Sequence, residues 1–582
     1  MAWSAQPSIS YLLDLRNPPS HLVHVEMAVR SVQPHTEIQF PAWNNLYQIR
    51  DFARNIRDLE GECDGHPEIL EHVDLSTWRT DAASCRQLTL HYSVLANEES
   101  PFSSVVNADH AFLNFALLLF YLPRRRGEEV SVRFRLPPAW KLATLLETGP
   151  VPDEFRAGNY DLLVDSPAEA GEFQEYSYAQ SGATYRVIVH ANPDDYSPKR
   201  LLESLQRITA EETALMREVP FSRYTFIFHF PRSRSGGGGM EHRFGTAITM
   251  QASDLRRNWK GLEATAAHEF FHLWNVKRIR PQALEPIDYV HGNDTRDLWF
   301  AEGLTSTYGE LTMLRAGLIT RRVFYDDLAA EIQQLQSRPA RRWQSVEEAG
   351  LEAWFEKYPD YVQPERSISY YNKGALVGFL LDLAIRAATA NRASLDDIMR
   401  ALNQRFARRG RCFTRKDLRE TIREFAPTFT RLDAFFADYV SGTRELDYAY
   451  YLGLAGLKLE TSEAARPALG FRAARAYDNI IRVEEVETNS NAEQAGLKKG
   501  DALMKLNHEA LDHVPDERGL RMGEKLEFQV RRGNQVMTIR FDVGARKETV
   551  YSVEDIQEAT PDQRRVREGW LKGETATALA TK

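Results

Sequence analysis

The chain has 582 residues, 43% hydrophobic and 27% charged, the balance of an ordinary soluble protein and too long for a single core. Its 73 Lys+Arg against 82 Asp+Glu leave a formal charge of −9, which argues against a nucleic-acid binder, because that affinity comes mostly from cationic patches. Cys63, Cys85 and Cys412 lie far apart with no C-x-x-C pair, so no disulfide framework and no cysteine zinc site are expected, and a reduced compartment fits best.

The N-terminal MAWSAQPSISYLLDLRNPP lacks a basic segment followed by a continuous apolar one, and so does not read as a signal peptide. The most apolar stretch, Ala111 to Leu122, is shorter than the ~20 residues a membrane span needs and reads as a buried strand or helix. The expectation is a soluble, cytoplasmic protein with no membrane segment. Residues 1–172 read as a β-sheet domain: Gln87 to Leu95 and Val130 to Leu136 alternate apolar and polar residues between turn clusters. From residue 173 to 455 the pattern mixes. A strand over Tyr185 to His190 precedes a helix over Pro198 to Arg217, and a second strand follows at Tyr224 to Phe230. A glycine run, Gly236 to Gly239, gives room for close backbone approach. The alternating segment Phe244 to Met250 reads as a sheet-edge strand that could pair with an extended peptide. Helices dominate the second half of this region, from about residue 320, with capping boxes at Ser394-x-x-Asp397 and Thr414-x-x-Asp417. Residues 456–547 turn β-rich again, and 548–582 read as a charged tail ending in a helix that frays.

The chemistry concentrates in Ala264-Thr-Ala-Ala-His268-Glu269-Phe-Phe-His272. Histidines at i and i+4 project from one face of a helix, so two imidazoles can grip one metal ion, with Glu269 beside them as a non-ligating base. Leu262, Ala266 and Phe270 form the apolar stripe of that helix. Lys277, Arg278 and Arg280 suit its C-terminal dipole, and Pro281 is expected to stop it. A catalytic zinc needs a third protein ligand. Glu302, separated from His272 by 29 intervening residues and set among Trp299, Phe300, Ala301 and Leu304, is the candidate, because a carboxylate in apolar company needs a counter-charge.

The string HEFFHLWNVKRIRP, with WFAEGLTS downstream, resembles the gluzincin metallopeptidases and specifically their glycyl aminopeptidase family. Gly238-Gly239-Met240-Glu241-His242 resembles the G-x-M-E-N exopeptidase loop of the wider clan, with His242 in place of the loop's Asn. Tyr371-Asn372-Lys373-Gly374 matches its Y-x-K-G, and Pro41-Ala42-Trp43 with Arg50 to Arg54 is similar to the family's N-terminal domain. The spacing from His272 to Glu302 is longer than in the better-known aminopeptidases and fits the glycyl branch. The resemblance implies a multidomain α+β protein with a thermolysin-like catalytic domain at 173–455. It further implies one Zn²⁺ per chain on His268, His272 and Glu302, with Glu269 as general base and Tyr371 as oxyanion donor. Glu241 would meet the free α-ammonium of a peptide whose first residue is glycine or alanine, with Gly238, Gly239, Met240 and His242 lining the same subsite.

Residues 456–547 resemble a PDZ domain, with Leu469-Gly470-Phe471 as its carboxylate-binding loop, which would take peptide C-termini. A peptide-binding scaffold with an inactive protease-like domain and a zinc endopeptidase are the alternatives to an aminopeptidase. No nucleic-acid or membrane partner is expected.

Overall fold

The computed structural model describes residues 7–44, 47–81, 85–232, 237–355, 363–476, 478–511, 513–515, 517 and 519–576. Gly236, part of the glycine run, lies outside them. The chain divides into two compact units, Met1–Lys458 with Glu554–Lys582, and Leu459–Val553.

The first unit opens with an eight-stranded sheet whose centre is Val130–Arg135, Ile9–Asp14, Leu22–Arg30 and Gln87–Leu95. The period-2 patterns translate directly: Ile9–Asp14 buries every second side chain, Ile9, Tyr11 and Leu13, against the core. Leu22–Arg30 does the same with Val23, Val25, Met27 and Val29. The apolar stretch from Ala111 to Leu122 is buried throughout as a short strand followed by irregular turns. Against expectation, Cys63 and Cys85 form a disulfide, with Cα atoms 5.5 Å apart. The antiparallel pairing of Ile56–Cys63 with Gln87–Leu95 closes the 22-residue separation that made them look remote. Disulfides persist in oxidising settings, so the cysteines no longer argue for a reduced compartment. Among the described residues no helix is long and apolar enough to cross a membrane.

A second, five-stranded sheet carries the chemistry. Its strands are β1 (Gln174–Gln180), β2 (Ala183–Ala191), β3 (Arg223–Phe230), β4 (Gly238–His242) and β5 (Gly245–Thr249), in the order β1-β2-β3-β5-β4. The segment expected at the edge, β5, is therefore interior, parallel to β3 and antiparallel to β4. The edge strand is β4, the glycine-methionine-glutamate segment itself. Helix α1 (Pro198–Met216), α2 (Trp259–Phe271), α3 (Leu304–Arg315), α4 (Arg321–Gln336) and α5 (Tyr370–Ala388) build the rest of the site region. The two capping boxes form as read, at Ser394 and Thr414.

The segment read as a fraying tail holds α6 (Pro561–Lys572), started by a Thr560–Gln563 capping box. Its Trp570 is fully buried, 5.3 Å from the ring of Phe324 and 6.0 Å from that of Phe379. Burying a side chain of that size contributes about 1.5–3 kcal/mol or more, which fixes the helix instead of letting it fray.

The second unit is an antiparallel sheet of Phe471–Arg475, Ile481–Val486, Ala502–Leu506, Lys525–Arg532 and Gln535–Asp542, with Glu509–Ala510 pairing beside the third. Leu469, Phe471, Val483, Phe528 and Phe541 belong to its own core.

Candidate metal centre

Helix α2 starts where the side chain of Asn258 accepts the backbone N–H of Gly261, and it ends at Phe271 with His272 as the capping residue. It is shorter than its charge pattern suggested. Val276 has φ +81, rare for a β-branched residue, and Asn275 and Ile279 form a bridge that turns the chain away. Lys277 and Arg278 thus serve tertiary contacts instead of the helix dipole. The side chain of Asn275 accounts for the stop: its amide donates to the carbonyls of Phe300 (2.8 Å) and Ala301 (3.2 Å) and to Thr305 Oγ1 (3.0 Å). One residue thereby clamps the end of α2 to the segment that carries Glu302.

That segment, Trp299–Gly303, is a single π-helical turn leading into α3. The wide turn is a feature often found at functional sites. Gly303 packs on Gly374 of α5. A β-carbon at Gly374 would stand 2.8 Å from Gly303 Cα and 2.9 Å from the Trp299 carbonyl oxygen. This glycine-to-glycine contact brings Tyr371, one turn earlier on α5, to the same cleft as Glu302.

Three ligand atoms converge. His268 Nε2 and His272 Nε2 are 3.0 Å apart, and Glu302 Oε2 lies 3.4 Å from the first and 3.3 Å from the second. Four-coordinate zinc with bonds of about 2.0–2.1 Å separates its ligands by about 3.3 Å, so the cradle has the dimensions of that ion. The tautomers agree. His272 Nδ1 lies 3.0 Å from the carbonyl of Asn275, which only accepts, so Nδ1 carries the proton and Nε2 keeps its lone pair. Ser306 donates its hydroxyl hydrogen to the carbonyl of Glu302 (3.0 Å) and so accepts from His268 Nδ1 (3.3 Å), leaving that Nε2 bare as well. Two lone pairs facing each other at 3.0 Å beside a carboxylate ask for a cation, and outer hydrogen bonds of this kind orient metal-binding histidines.

The surrounding charges say the same. Burial opposes ionisation of His272, but the charges of Glu302, Glu241 and Glu269 outweigh it and push the imidazole up to about 10. Burial raises Glu302, yet His272 and His268 hold it well below the usual carboxylate range. Glu269 is raised well above its ordinary value by burial, with Glu241 and Glu302 adding to the shift. Glu241, Glu269 and His272 also place ligand-type atoms within 4.8 Å of one another, so the two carboxylates lie together beside the cradle.

The cleft above these groups has a volume of about 480 Å³ and includes Gly238, Gly239, Met240, Glu241 and Tyr371 in its lining. Gly239 cannot carry a side chain, because a β-carbon there would overlap the carboxylate of Glu269. The ring of Tyr371 is 6.0 Å from that of His268. His242 is not in the cleft. It is buried behind the strand, where Nδ1 meets Asp165 at 3.2 Å, and Asp165 also accepts from Lys277 at 2.9 Å. Strand alternation explains the miss, since neighbouring residues Glu241 and His242 must face opposite ways. Asn275 and Ser306, the residues that set the two tautomers, went unrecognised; Asn275 stands three residues after His272, inside the run HLWN, and was the readable one. In the second unit Gly470 has φ +73, and the N–H of Leu469 is already bonded to the Glu517 carboxylate at 3.1 Å.

Residues 262–377 match the model of the M61 glycyl aminopeptidase family, and residues 10–172 match that of the peptidase M61 N-terminal domain. These two segments of the chain are thus similar to domains of the M61 peptidase family. None of the curated proteins matches it. Among solved structures it is similar to an aminopeptidase N family protein from Idiomarina loihiensis, at 23% identity and TM-score 0.81 over 97% of this chain and 100% of that one. It is also similar to an M1 zinc metallopeptidase from Deinococcus radiodurans, at 15% identity and TM-score 0.47 over 76% of this chain and 95% of that one. The first of these likenesses shows that the whole chain shares a fold with that protein.

Proposed function

We propose that the chain is a zinc-dependent aminopeptidase that releases small N-terminal residues, glycine and alanine above others, from peptides. The observation that carries this reading is the three-atom cradle of His268, His272 and Glu302 with the carboxylates of Glu269 and Glu241 close beside it. Zinc held there would supply a Lewis acid that activates water and polarises the scissile carbonyl. The chain's own residues do the rest. Glu269 takes a proton from water at its carboxylate and delivers it to the leaving amine, and burial, which raises its proton affinity, suits it to that shuttle. The Tyr371 hydroxyl donates to the developing oxyanion; losing such a donor typically costs about 10²–10³ in rate.

Strand β4 pairs with β5 on one side only, so its other edge is free to bind extended backbone along the cleft. Glu241, 8% exposed at the far end of that strand, is the counter-charge for a buried α-ammonium. The preference for small first residues rests on the M61 match. The assay is hydrolysis of Gly- and Ala-anilides against Leu-, Phe- and Arg-anilides and against N-acetylated versions. Glu241→Ala should lower kcat/KM on free-amine substrates by at least ~100-fold, as the loss of a charge-assisted contact does, while sparing zinc content. Equal cleavage of acetylated and free peptides would replace the aminopeptidase with an endopeptidase.

For the second unit we propose a PDZ-like role in binding peptide C-termini. Phe471–Arg475 is an edge strand, and Gly470 supplies the left-handed turn before it. A C-terminal carboxylate would compete with Glu517 for the N–H of Leu469, so Glu517→Gln should tighten binding of a fluorescent peptide acid and leave its amide unchanged.

A further inference from the structure

A cavity of about 1100 Å³ adjoins the metal cleft at Met240, which lines both, and lies between the segments 144–166 and 221–225 and the turn after α2. Its charges are unevenly satisfied. Of its carboxylates, Asp165 bonds Lys277 and His242, Asp161 meets Arg126 at 2.5 Å and Glu285 meets Arg280 at 2.6 Å. Glu147 is exposed at the rim. Of its arginines, Arg156 pairs with Glu154 and Glu129 and Arg280 with Glu285, but Arg243 and Arg223 have no carboxylate partner among the described residues. Arg243 makes no ion pair or side-chain hydrogen bond to any described residue; its guanidinium carbon sits 5.8 Å over the Phe244 ring. Arg223 has a single bond, to the carbonyl of Leu146 at 3.2 Å. Arg278, which does not itself line the cavity, stands 5.9 Å over the same Phe244 ring; among the described residues its side chain bonds only the carbonyl of Pro220, and its Nε is buried without a partner.

None of these three guanidinium groups has a carboxylate partner among the described residues, and Arg243 and Arg278 share one face-on neighbour, the Phe244 ring. Burial and Arg243 push Arg278 down to about 10, and burial with Arg186 lowers Arg223. Proteins place cations in this way at a cost unless something anionic answers them. The guanidinium fork matches a planar carboxylate bidentately, while Phe221 and Phe244 offer apolar walls to whatever carries it. The paired carboxylates around the rim disfavour a doubly charged anion. The volume suits a small organic molecule or the end of a peptide.

We infer that this cavity is a binding site for a singly charged carboxylate on an apolar or aromatic body, distinct from the metal cleft and centred on Arg243 and Arg223. The free carboxylate of a metabolite and the C-terminus of a peptide share that chemistry. N-acetylphenylalanine is the first probe: its blocked amine gives Glu241 nothing to hold, and only the binding lost in Arg243→Gln is assigned to this cavity, not to the metal or to the second unit. Calorimetry on the zinc-loaded full chain should show saturable binding that weakens with salt, and N-acetylphenylalaninamide should bind at least ~10-fold more weakly because the carboxylate is gone. Arg243→Gln should weaken the acid by ~10-fold or more, leave the amide unchanged and keep wild-type zinc content and circular dichroism, since the Arg243 side chain has no ion pair or hydrogen bond to any described residue and only the distant Phe244 ring to lose. An acetylated tripeptide ending in phenylalanine, tested beside the single residue on the wild type and on Arg243→Gln, separates the two sources: tighter binding that the variant loses assigns the site to peptide ends, equal binding to small acids. Acid and amide binding alike, no binding up to ~10 mM, an Arg243→Gln variant that binds as the wild type does, or inorganic phosphate binding more tightly than the acid would each overturn the inference.

Discussion

Substituting Gly374 with alanine tests how the cleft is assembled, because that residue touches no candidate ligand. The new β-carbon would stand 2.8 Å from Gly303 Cα, 2.9 Å from the Trp299 carbonyl oxygen and 3.1 Å from Trp299 Cα, all backbone atoms that no rotamer change can move. Carbon contacts settle at about 3.5–4.0 Å, so α5 and the π-helical turn must part by roughly 0.7 Å. Overpacking of this kind costs about 1–3 kcal/mol, read as a lower unfolding midpoint. The displacement falls between Glu302 on one segment and Tyr371 on the other. A misplacement of about 1 Å can cost ~10²-fold, so kcat/KM on a Gly-anilide should fall by roughly 10–100-fold, with weaker zinc retention against a chelator. Gly453→Ala is the control: it lies in the helix Tyr448–Leu454 with nothing within 4 Å of a new β-carbon, and should be neutral or slightly stabilising. Wild-type activity and zinc retention in the Gly374 variant would refute the claim that this contact sets the distance from Glu302 to Tyr371.

Glu269→Gln should keep zinc and lose nearly all turnover, whereas His272→Ala should lose the metal itself; metal analysis beside the anilide assay separates the two, and equal occupancy and activity in both would remove the assignment. Glu169, fully buried between His110 and His229 at 2.9 Å from each, is held down to about 2 by those imidazoles although burial raises it, and His110 is raised by Glu169 although burial lowers it. The carboxylate therefore adds stability above its usual 4.5 that is lost as pH falls toward 2, and the imidazole adds stability below its usual 6.5 that is lost as pH rises through its raised value. Glu169→Gln should cost about 3 kcal/mol or more between pH 4.5 and 6.5, with the gap in unfolding midpoint narrowing on either side; a gap independent of pH would sink this account. Replacing Leu459–Val553 with a short linker should leave hydrolysis of Gly-anilide largely intact, whereas stopping the chain after Tyr450 should not, because that also removes α6 and the buried Trp570.

Much of the centre was legible because its determinants are local. The i, i+4 histidines and the neighbouring glutamate need only a helix to be correct, and α2 provides one. Glu302 was found by its apolar company, a local signal of a buried charge. What could not be read depends on pairing between distant segments. Whether β4 or β5 forms the sheet edge is decided by which of them lies against β3, and both carry similar patterns. The end of α2 was misread because nothing but Pro281 marked a stop, while the real terminator, the side chain of Asn275, works by reaching carbonyls 25 and 26 residues away. The disulfide was invisible for the same reason, since a strand pairing, and no cysteine spacing, brings Cys63 to Cys85.

The residues that escaped detection share one property, that of holding two chain segments at a fixed distance. Asn275 ties α2 to the turn bearing Glu302, and Ser306 ties His268 to that turn's backbone. The Gly303–Gly374 contact ties the turn to α5. A metal cradle with ligand separations of 3.0–3.4 Å tolerates little slack, and its ligands come from two elements, with 29 residues between His272 and Glu302. Local helix formation positions His268 against His272 but says nothing about Glu302. Precision across that gap must come from rigid contacts, and two of them use the groups least likely to be read as functional, an amide side chain and a pair of glycines. Replacing Asn275 by Asp keeps the shape but turns the donor into an acceptor facing two carbonyls, so it should loosen zinc where Asn275→His or →Gln, still able to donate, loosens it less.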